Sequence, residues 1–457
     1  MRGPAPGGGP VPQPGPGLGR SPSPRPAPAI LALLALLLAV GAVAHWLPRA
    51  PAVPAGPAGP EGAAPGAPAD LLAGLAEPAP GAVWTVSAAL PEPPAPAAGA
   101  EPDGDAPGEP ISVRSFDGGR LLARRVAAVH AAAQVTVRGI YIPAAVTGET
   151  AWFNDLIDLV RRTELNAVVI DFKDDLGYLV AGTPFPEAEA VGAVRVRFRD
   201  AARVLEALRD EGIYTIARVV TFKDNVLAGA RPDLAVQLAD GRPWRDRKGT
   251  AWLNPYHPGA WEYNIQVARE AALLGFREVQ FDYVRFPSDG PVRAAVYPGR
   301  DERTPSEVIG GFLRAAREAL EPYNVMVSAD VFGQTPSVDG DMGIGQRWED
   351  VAWGIHYISP MAYPSHYAPR VYGLPDPDAA PYETVLNTLQ DALERRPHGE
   401  PAVIRPWLQD FSLRHRYGPA EVRAQIQAVY DAGLEQWLLW NPAARYTEAA
   451  LLPAGAE

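Results

Sequence analysis

Short runs of β-branched and aromatic residues alternate with longer amphipathic stretches over most of this 457-residue chain. The runs have the length and composition of buried strands, and the stretches between them have the apolar spacing of helices. Alternation of this kind predicts a parallel sheet, and eight units are the number that closes an α/β fold into a (β/α)8 TIM barrel. The eight predicted strands are 135–142, 167–172, 214–220, 278–283, 325–331, 357–361, 402–408 and 436–440.

A doubly wound open sheet is the structural alternative, because it also alternates strands with helices. Its nucleotide-binding versions carry a GxGxxG sequence directly after the first strand, and neither that sequence nor a phosphate loop occurs here. The glycines at 340–345 (GDMGIG) follow a loop instead of a strand. The closed barrel is therefore the preferred prediction.

Proline and glycine divide the chain into two parts. Residues 1–110 contain 26 prolines and 17 glycines, whereas the remaining 347 residues contain 52 of the two together. Proline removes backbone donors and glycine adds chain entropy, so the first part cannot build a packed core. We predict a disordered cytoplasmic tail at 1–28, a disordered Pro/Ala/Gly-rich spacer at 48–110 and the barrel domain at 111–457.

An uncharged apolar run at 29–47 separates the tail from the spacer. Three arginines precede it, and the first 50 residues contain no acidic residue. Nineteen apolar residues just span a bilayer core, and basic flanking residues stay in the cytoplasm. We expect a single-pass signal anchor in the cell membrane, with the lipid bilayer as its partner and the barrel outside. The alternative is a signal peptide cut after Ala44, which would release the barrel.

Charge and cysteine content exclude several classes of function. The chain carries 41 Lys and Arg against 53 Asp and Glu, a net charge of −12, and it contains no cysteine. An acidic domain is a poor binder of nucleic acid, and without cysteine there is no disulfide, thiol nucleophile or thiolate metal site. No paired histidines support a metal site. We predict no metal, no cofactor, no nucleic acid and no protein partner.

Four of the predicted strands end in, or run directly into, an aspartate: Asp171, Asp282, Asp330 and Asp410. Carboxylates are poor strand formers and are costly to bury, so this placement favours a function. In a (β/α)8 barrel the active site lies at the carboxyl ends of the strands. The other candidates near these ends are Lys173, Arg218, Lys223, Tyr283, Arg285, Tyr363, His366, Arg405, Trp407, Gln409, Trp440 and Asn441.

Clustered carboxylates shift one another's pKa, so that one can stay protonated while another stays charged. Cleavage of a glycosidic bond needs such a pair, an acid for the leaving oxygen and a carboxylate that acts as nucleophile or base. We assign catalysis to Asp282, Asp330 and Asp410, and substrate binding to Asp171 and the other candidates. The aromatic residues suit stacking on sugar faces. A salt bridge of Asp171 with the nearby basic residues is the structural alternative.

Eight motifs of the chain occur together in a fixed order, and they resemble those of a known family. That family is the glycoside-hydrolase-like domain of unknown function 4015, and the likeness covers about residues 137–451. The motifs are IDFKDDLG at 170–177, ARVVTFKD at 217–224, NPYHPGAWEYN at 254–264, FDYVRFPSD at 281–289, SADVFG at 328–333, SPMAYPSHY at 359–367, RPWLQDF at 405–411 and WLLWNP at 437–442.

The resemblance implies a TIM barrel related to α-amylase-like and other retaining glycosidases, with a carbohydrate substrate. By position, Asp282 matches the fourth-strand nucleophile of those enzymes, Asp330 their fifth-strand acid and Asp410 their seventh-strand carboxylate. Two features depart from that pattern. The fifth-strand acid is Asp instead of Glu, and Arg285 follows the fourth-strand Asp instead of preceding it. A pairing in which Asp282 is the acid and Asp410 the nucleophile stays open.

Three functions are compatible with these residues. The leading one is a glycosidase that acts on an extracytoplasmic polysaccharide or wall glycan. The second is a membrane-tethered, non-catalytic glycan-binding protein on a glycosidase-like barrel. The third is a metal-dependent hydrolase or deacetylase that uses Asp171, Asp282 and His366.

Overall fold

A computed structural model of the chain describes residues 135–182, 185–399 and 401–455, the backbone strands 112–117 and 120–125, and residue 3. Eight parallel strands in this part of the chain form a barrel. They are β1 (Arg138–Ile142), β2 (Ala167–Lys173), β3 (Tyr214–Val220), β4 (Glu278–Asp282), β5 (Met326–Phe332), β6 (Tyr357–Met361), β7 (Val403–Ile404 and Trp407–Gln409) and β8 (Trp437–Trp440).

The barrel closes because β1 pairs with both β2 and β8. The backbones come close together at Gly139, which is paired with Ala167 and Leu438. A Cβ atom at position 139 would lie 2.9 Å from the Leu438 side chain and 3.1 Å from the Ala167 Cβ, so a larger residue there would displace its neighbours. The predicted (β/α)8 fold is confirmed.

Helices connect successive strands and cover the outside of the barrel. Their caps are local in sequence: the Thr304 hydroxyl accepts from the Glu307 amide while the Glu307 carboxylate accepts from the Thr304 amide. The described helices are α1 (Ala144–Thr147), α2 (Thr150–Arg162), α3 (Pro186–Ala190), α4 (Ala201–Asp210), α5 (Asn225–Ala230), α6 (Pro258–Leu274), α7 (Pro305–Leu320), α8 (Trp348–Ala352), α9 (Pro381–Glu394) and α10 (Pro419–Asp431).

The sequence pattern misses the shortest elements. The helices α1, α3 and α5 are four to six residues long, which is too short to show a helical period. Two short strands, Leu179–Ala181 and Val194–Phe198, extend the sheet beyond β2. Strand β7, predicted as one run, is broken around Pro406, which has no backbone N–H to donate.

The interior of the barrel is filled by side chains, so chemistry is confined to its ends. Tyr141, Ile216, Met326, Trp407 and Leu438 belong to this inner cluster and are almost completely buried. A second, larger apolar cluster lies between the strands and the helices.

The strands 112–117 and 120–125 pair with each other in antiparallel fashion. No helix of the described residues is long and apolar enough to cross a membrane. Apart from residue 3, the predicted tail (1–28), apolar span (29–47) and spacer (48–110) lie outside the described residues.

Candidate active site

Arg218 lies at the centre of the candidate site at the carboxyl end of the barrel, which we call the mouth. The hub is Arg218 together with the three carboxylates that it contacts and Tyr141, which binds one of them. Arg218 projects from β3 and is 1% exposed. Its Nη1 donates to Asp171 Oδ1 at 2.7 Å, and its Nε and Nη2 donate to Asp282 Oδ2 at 2.9 and 2.6 Å. Its Nη2 also donates to Asp175 Oδ1 at 3.2 Å. One guanidinium thus connects carboxylates from β2, from the loop after β2 and from β4.

Asp171 is held by donors on both oxygens. Its Oδ2 accepts from the Tyr141 hydroxyl at 2.8 Å and from the Ala144 amide at 3.0 Å. Burial raises the pKa of Asp171 to about 6, although the charge of Arg218 acts in the opposite direction. The Tyr141 ring stacks on Trp440, with centroids 4.0 Å apart, and Arg218 lies 5.3 Å from the Trp440 ring. Tyr141 and Trp440 therefore form an aromatic wall beside the charged group.

Asp282 ends β4, and both of its carboxylate oxygens are fixed. Oδ2 receives the two Arg218 hydrogen bonds, and Oδ1 accepts from the Tyr283 amide at 2.6 Å. Tyr283 adopts a positive φ of 49°, which is uncommon for a residue with a bulky side chain. This backbone turn brings the amide of the residue after the strand onto the carboxylate.

Asp330, on β5, has a different environment. Its Oδ1 accepts from Trp407 Nε1 at 2.8 Å, and it forms no ion pair with the described residues. Burial and the negative charge of Asp282 raise the pKa of Asp330 well above its usual range. Both aspartates also act electrostatically on the buried Tyr363 hydroxyl. Asp282 and Asp330 therefore form a pair of neighbouring carboxyl groups in unlike environments.

Asp410 follows β7 and is engaged by the loop after β8. Its Oδ2 accepts from the Thr447 amide at 2.8 Å, and its Oδ1 accepts from the Thr447 hydroxyl at 2.6 Å. Asn441 Nδ2 donates to the Asp410 carbonyl. These contacts anchor a loop, and they do not connect Asp410 to Arg218. A catalytic role for Asp410 stays a prediction.

Three further candidates form one side of the mouth. Lys223 Nζ lies 4.5 Å from the centroid of the Tyr283 ring, and the Arg285 guanidinium lies 5.1 Å from it. Lys223 is also 3.9 Å from Asp175 Oδ1. These cations and the tyrosine lie next to Asp282 in sequence or in space.

Lys173 is completely buried and points away from the hub. Its ammonium contacts Asp224 Oδ2 at 2.7 Å, Asn264 Oδ1 at 2.8 Å and the Thr221 carbonyl at 3.2 Å. The contacts with Asn264 and the Thr221 carbonyl are hydrogen bonds, the contact with Asp224 is an ion pair, and Asn264 belongs to α6. Lys173 therefore joins the barrel to a helix, and its complete burial keeps it from the surface where a substrate contact was predicted.

Arg405 is paired with Glu278, the first residue of β4, inside the barrel. Its guanidinium lies 4.3 Å from the ring centroid of Tyr357, the first residue of β6. Arg405 is 0% exposed. It thus belongs to the amino end of the barrel, away from the position predicted for a substrate-binding residue.

The remaining candidates stabilise loops around the mouth. Gln409 accepts from the Ser365 amide and donates to the Phe411 carbonyl. Asn441 Nδ2 donates to the Arg445 carbonyl. His366 stacks edge-on against Tyr363 and Phe411, and burial lowers its pKa to about 4.

Sequence reasoning missed two members of the hub, Tyr141 and Asp175. Tyr141 lies inside a predicted strand, where an aromatic residue normally indicates packing. Asp175 follows β2 within the acidic run DD, which gave a usable signal. No group of three or more metal-ligating side chains is found among the described residues. Arg218 already bridges Asp171 and Asp282, two of the residues proposed for a metal.

A cavity of about 530 Å³ lies at the opposite end of the barrel. It is lined by Arg138, Asn166 and Ile213, at or just before the starts of β1, β2 and β3. This cavity is separate from the charged hub and from all of the predicted catalytic residues.

Solved structures provide a comparison for the barrel. The PgaB (BpsB) glycoside hydrolase domain from Bordetella bronchiseptica matches with a TM-score of 0.50 and 15% identity, over 67% of this chain and 94% of that domain. A hypothetical protein from Ruminiclostridium thermocellum ATCC 27405 is 38% identical over 42% of this chain and 97% of its own, with a TM-score of 0.39. The α-galactosidase TtGalA from Thermus thermophilus is 15% identical over 68% of this chain and 58% of its own, with a TM-score of 0.40.

The fold is a (β/α)8 barrel, and carboxylates are concentrated at the carboxyl ends of its strands. No curated protein matches the chain. The chain belongs to the domain of unknown function 4015 family, described as "Putative glycosyl hydrolase domain", whose model matches residues 139–446. The resemblance inferred from the eight motifs is thereby confirmed.

Proposed function

We propose that this protein hydrolyses O-glycosidic bonds with Asp282 and Asp330. The observation that carries the proposal is the unlike environment of the two carboxyl groups. Asp282 receives two hydrogen bonds from Arg218, whereas Asp330 has only the Trp407 indole N–H and a raised pKa. A glycosidase needs this division between a charged and a protonated carboxyl group.

In this proposal Asp330 donates its proton to the glycosidic oxygen as the bond to the anomeric carbon breaks. The Asp282 carboxylate attacks that carbon from the other side, and water later releases the sugar while Asp330 takes a proton from the water. Arg218 and the Tyr283 amide hold Asp282 in place for the attack. Trp440, which is partly exposed, offers an aromatic surface at the same end of the barrel.

The test is a reducing-end assay of the full chain against a panel of bacterial and plant glycans. On any glycan that the wild type cleaves, Asp282→Asn should lower the rate by about 10³-fold or more, because the nucleophile is lost. Asp210→Asn, at an exposed position, is the matched control and should keep the wild-type rate. Full activity of the Asp282→Asn variant would contradict the assignment.

The same assay separates hydrolysis from glycan binding alone. A non-catalytic protein would bind a glycan saturably and release no reducing ends. Asp410→Asn tests the third predicted carboxylate. We expect this variant to lose stability through its Thr447 contacts and to keep most of its rate per folded molecule.

We also propose that the barrel acts outside the cytoplasm, tethered by residues 29–47. The support is the uncharged apolar run with three arginines before it. Protease treatment of intact cells that express the full chain should digest the barrel. Amino-terminal sequencing then distinguishes a retained anchor from cleavage after Ala44. Protection of the barrel in intact cells would contradict the proposal.

A further inference from the structure

Arg285 is a buried cation that lacks a carboxylate partner. It follows β4 and is 7% exposed. Its Nη1 donates to the Phe286 carbonyl at 2.9 Å and to Ser288 Oγ at 3.2 Å, both of which are uncharged. No carboxylate oxygen of the described residues lies within 4.0 Å of its guanidinium. Buried charges normally have an opposite charge beside them, so the pairing here is incomplete.

Aromatic rings hold the Arg285 guanidinium in position. The ring centroids of Trp252, Tyr283 and Phe332 lie 4.9, 5.1 and 4.8 Å from its Cζ. Nε and Nη2 donate no hydrogen bond to the described residues, and neither is among the buried unpaired atoms. These two nitrogens therefore reach solvent-accessible space. Their N–H groups form the planar, two-donor edge that fits an oxyanion.

Two lysines add positive charge to the same side of the mouth. Lys223 Nζ lies 4.5 Å from the Tyr283 ring centroid, and its carboxylate neighbour Asp175 already accepts from Arg218. Burial and the positive charge of Lys223 lower the pKa of Lys248. Lys223 and Lys248 thus add two cations beside Arg285, and the acidic neighbours of these lysines are Asp175, Asp246 and Asp289.

The nearby acidic side chains do not supply the missing partner. Asp246 uses Oδ1 to accept from the Lys248 and Thr250 amides, and it uses Oδ2 to accept from Trp252 Nε1. Asp282 and Asp289 act on Arg285 electrostatically, but from beyond ion-pair distance. The free edge of the guanidinium is therefore available to a ligand.

We propose that the substrate is an acidic glycan, whose carboxylate, sulfate or phosphate group binds the Nε–Nη2 edge of Arg285. Lys223 and Lys248 supply the surrounding positive potential. The anionic group lies close to the reacting bond, because Tyr283, which contacts Arg285 and Lys223, directly follows Asp282 in the chain. This inference rests on the proposed function and names the substrate class of the same site.

The test compares sugars that differ only in charge. Calorimetry would measure the affinity of the full chain for each charged sugar and its neutral parent. The pairs are glucuronate and glucose, galacturonate and galactose, and mannuronate and mannose, and glucose 6-phosphate and glucose 6-sulfate are also compared with glucose. We expect at least one charged sugar to bind about tenfold or more tightly than its neutral parent. Arg285→Gln should reduce that advantage to about twofold, and Lys223→Gln should reduce it in part. Arg242→Gln, on an exposed turn, should leave it unchanged.

Three outcomes would overturn the inference: equal binding of the neutral sugars, no binding of any charged sugar, or an undiminished advantage in Arg285→Gln. If Arg285→Gln fails to fold, the wild type can be measured at increasing salt concentration instead. Salt screens charges, so the tighter binding of the charged sugar over its neutral parent should then become smaller. Monosaccharides present no glycosidic bond to cleave. The result is therefore independent of the reducing-end assay, whose failure would contradict the proposed hydrolase alone.

Discussion

Two arginines lie inside the same barrel, one toward each end, and their surroundings differ. At the amino end, Arg405 faces a single carboxylate, Glu278, which also accepts from the Tyr214 hydroxyl and the Ser328 hydroxyl. At the carboxyl end, Arg218 contacts three carboxylates, from Asp171, Asp175 and Asp282. The first cluster balances charge one to one, whereas the second contains more negative than positive charge.

We interpret this difference as one between a cluster that stabilises the fold and a cluster that the proposed hydrolysis would use. Arg405 and Glu278 balance each other and are completely buried, so solvent and ligands do not reach them. Asp330 forms no ion pair with the described residues, and burial and the negative charge of Asp282 raise its pKa. Groups with perturbed pKa values at the carboxyl end of a barrel are the ones expected to perform chemistry.

The largest effect is expected for Asp330→Asn, on a glycan that the wild type cleaves. Loss of the general acid should lower the rate by about 10²–10⁴-fold. The wild-type rate should fall as pH rises through the pKa of Asp330, because only the protonated acid can donate. That alkaline fall should be absent in the variant, and a nitrophenyl glycoside, whose leaving group needs no proton, should lose much less rate. If the rate of the variant falls at alkaline pH as that of the wild type does, Asp330 is not the general acid.

Arg405→Met should be the most destabilising change at the amino end. It leaves Glu278 as an unpaired buried charge, at a cost of about 3–5 kcal/mol in the free energy of unfolding. Denaturant titration measures this. The double variant Glu278→Met with Arg405→Met should recover much of the loss, because no unpaired charge remains. A double variant as unstable as the single one would show that Arg405 acts through packing instead of charge.

Most of the fold could be predicted from the sequence. The predicted ends of β3 and β6 agree with the structure. Apolar periodicity directly reflects which face of a strand or helix is buried. The short strands Leu179–Ala181 and Val194–Phe198 could not be found in this way, because so few residues show no period.

The site could be predicted only in part, and Lys173 shows why. Asp171 and Lys173 both stand at the end of the second predicted strand, so the sequence predicts both at the mouth. The pairing of β2 with β3 shifts between these residues, and Lys173 turns toward Asn264 instead. Arg405 shows a second limit, since a strand pattern does not give the depth of a side chain within the barrel. Contacts between Arg218 and the aspartates depend on register, which one sequence does not reveal.

The pH dependence of stability should reflect the Asp171 carboxyl group. Its pKa is about 6 in the folded protein, above its usual value, so the folded state binds more protons than the unfolded state between about pH 4 and pH 6. The free energy of unfolding should therefore fall as pH rises through this window. The contribution of this group is at most about 3 kcal/mol. Comparison of Asp171→Asn with Asp210→Asn should show a smaller fall in the former, and identical slopes would contradict the expectation.

The smallest effect compares one hydroxyl at each end of the barrel. Tyr141→Phe removes the hydrogen bond to Asp171 and keeps the stacking on Trp440, whereas Tyr214→Phe removes the hydrogen bond to Glu278. Each should cost about 1 kcal/mol of stability. Only Tyr141→Phe should also change the rate and its pH profile, because Asp171 shares Arg218 with Asp282. Equal effects on rate at both ends would remove the functional distinction between the two arginine clusters.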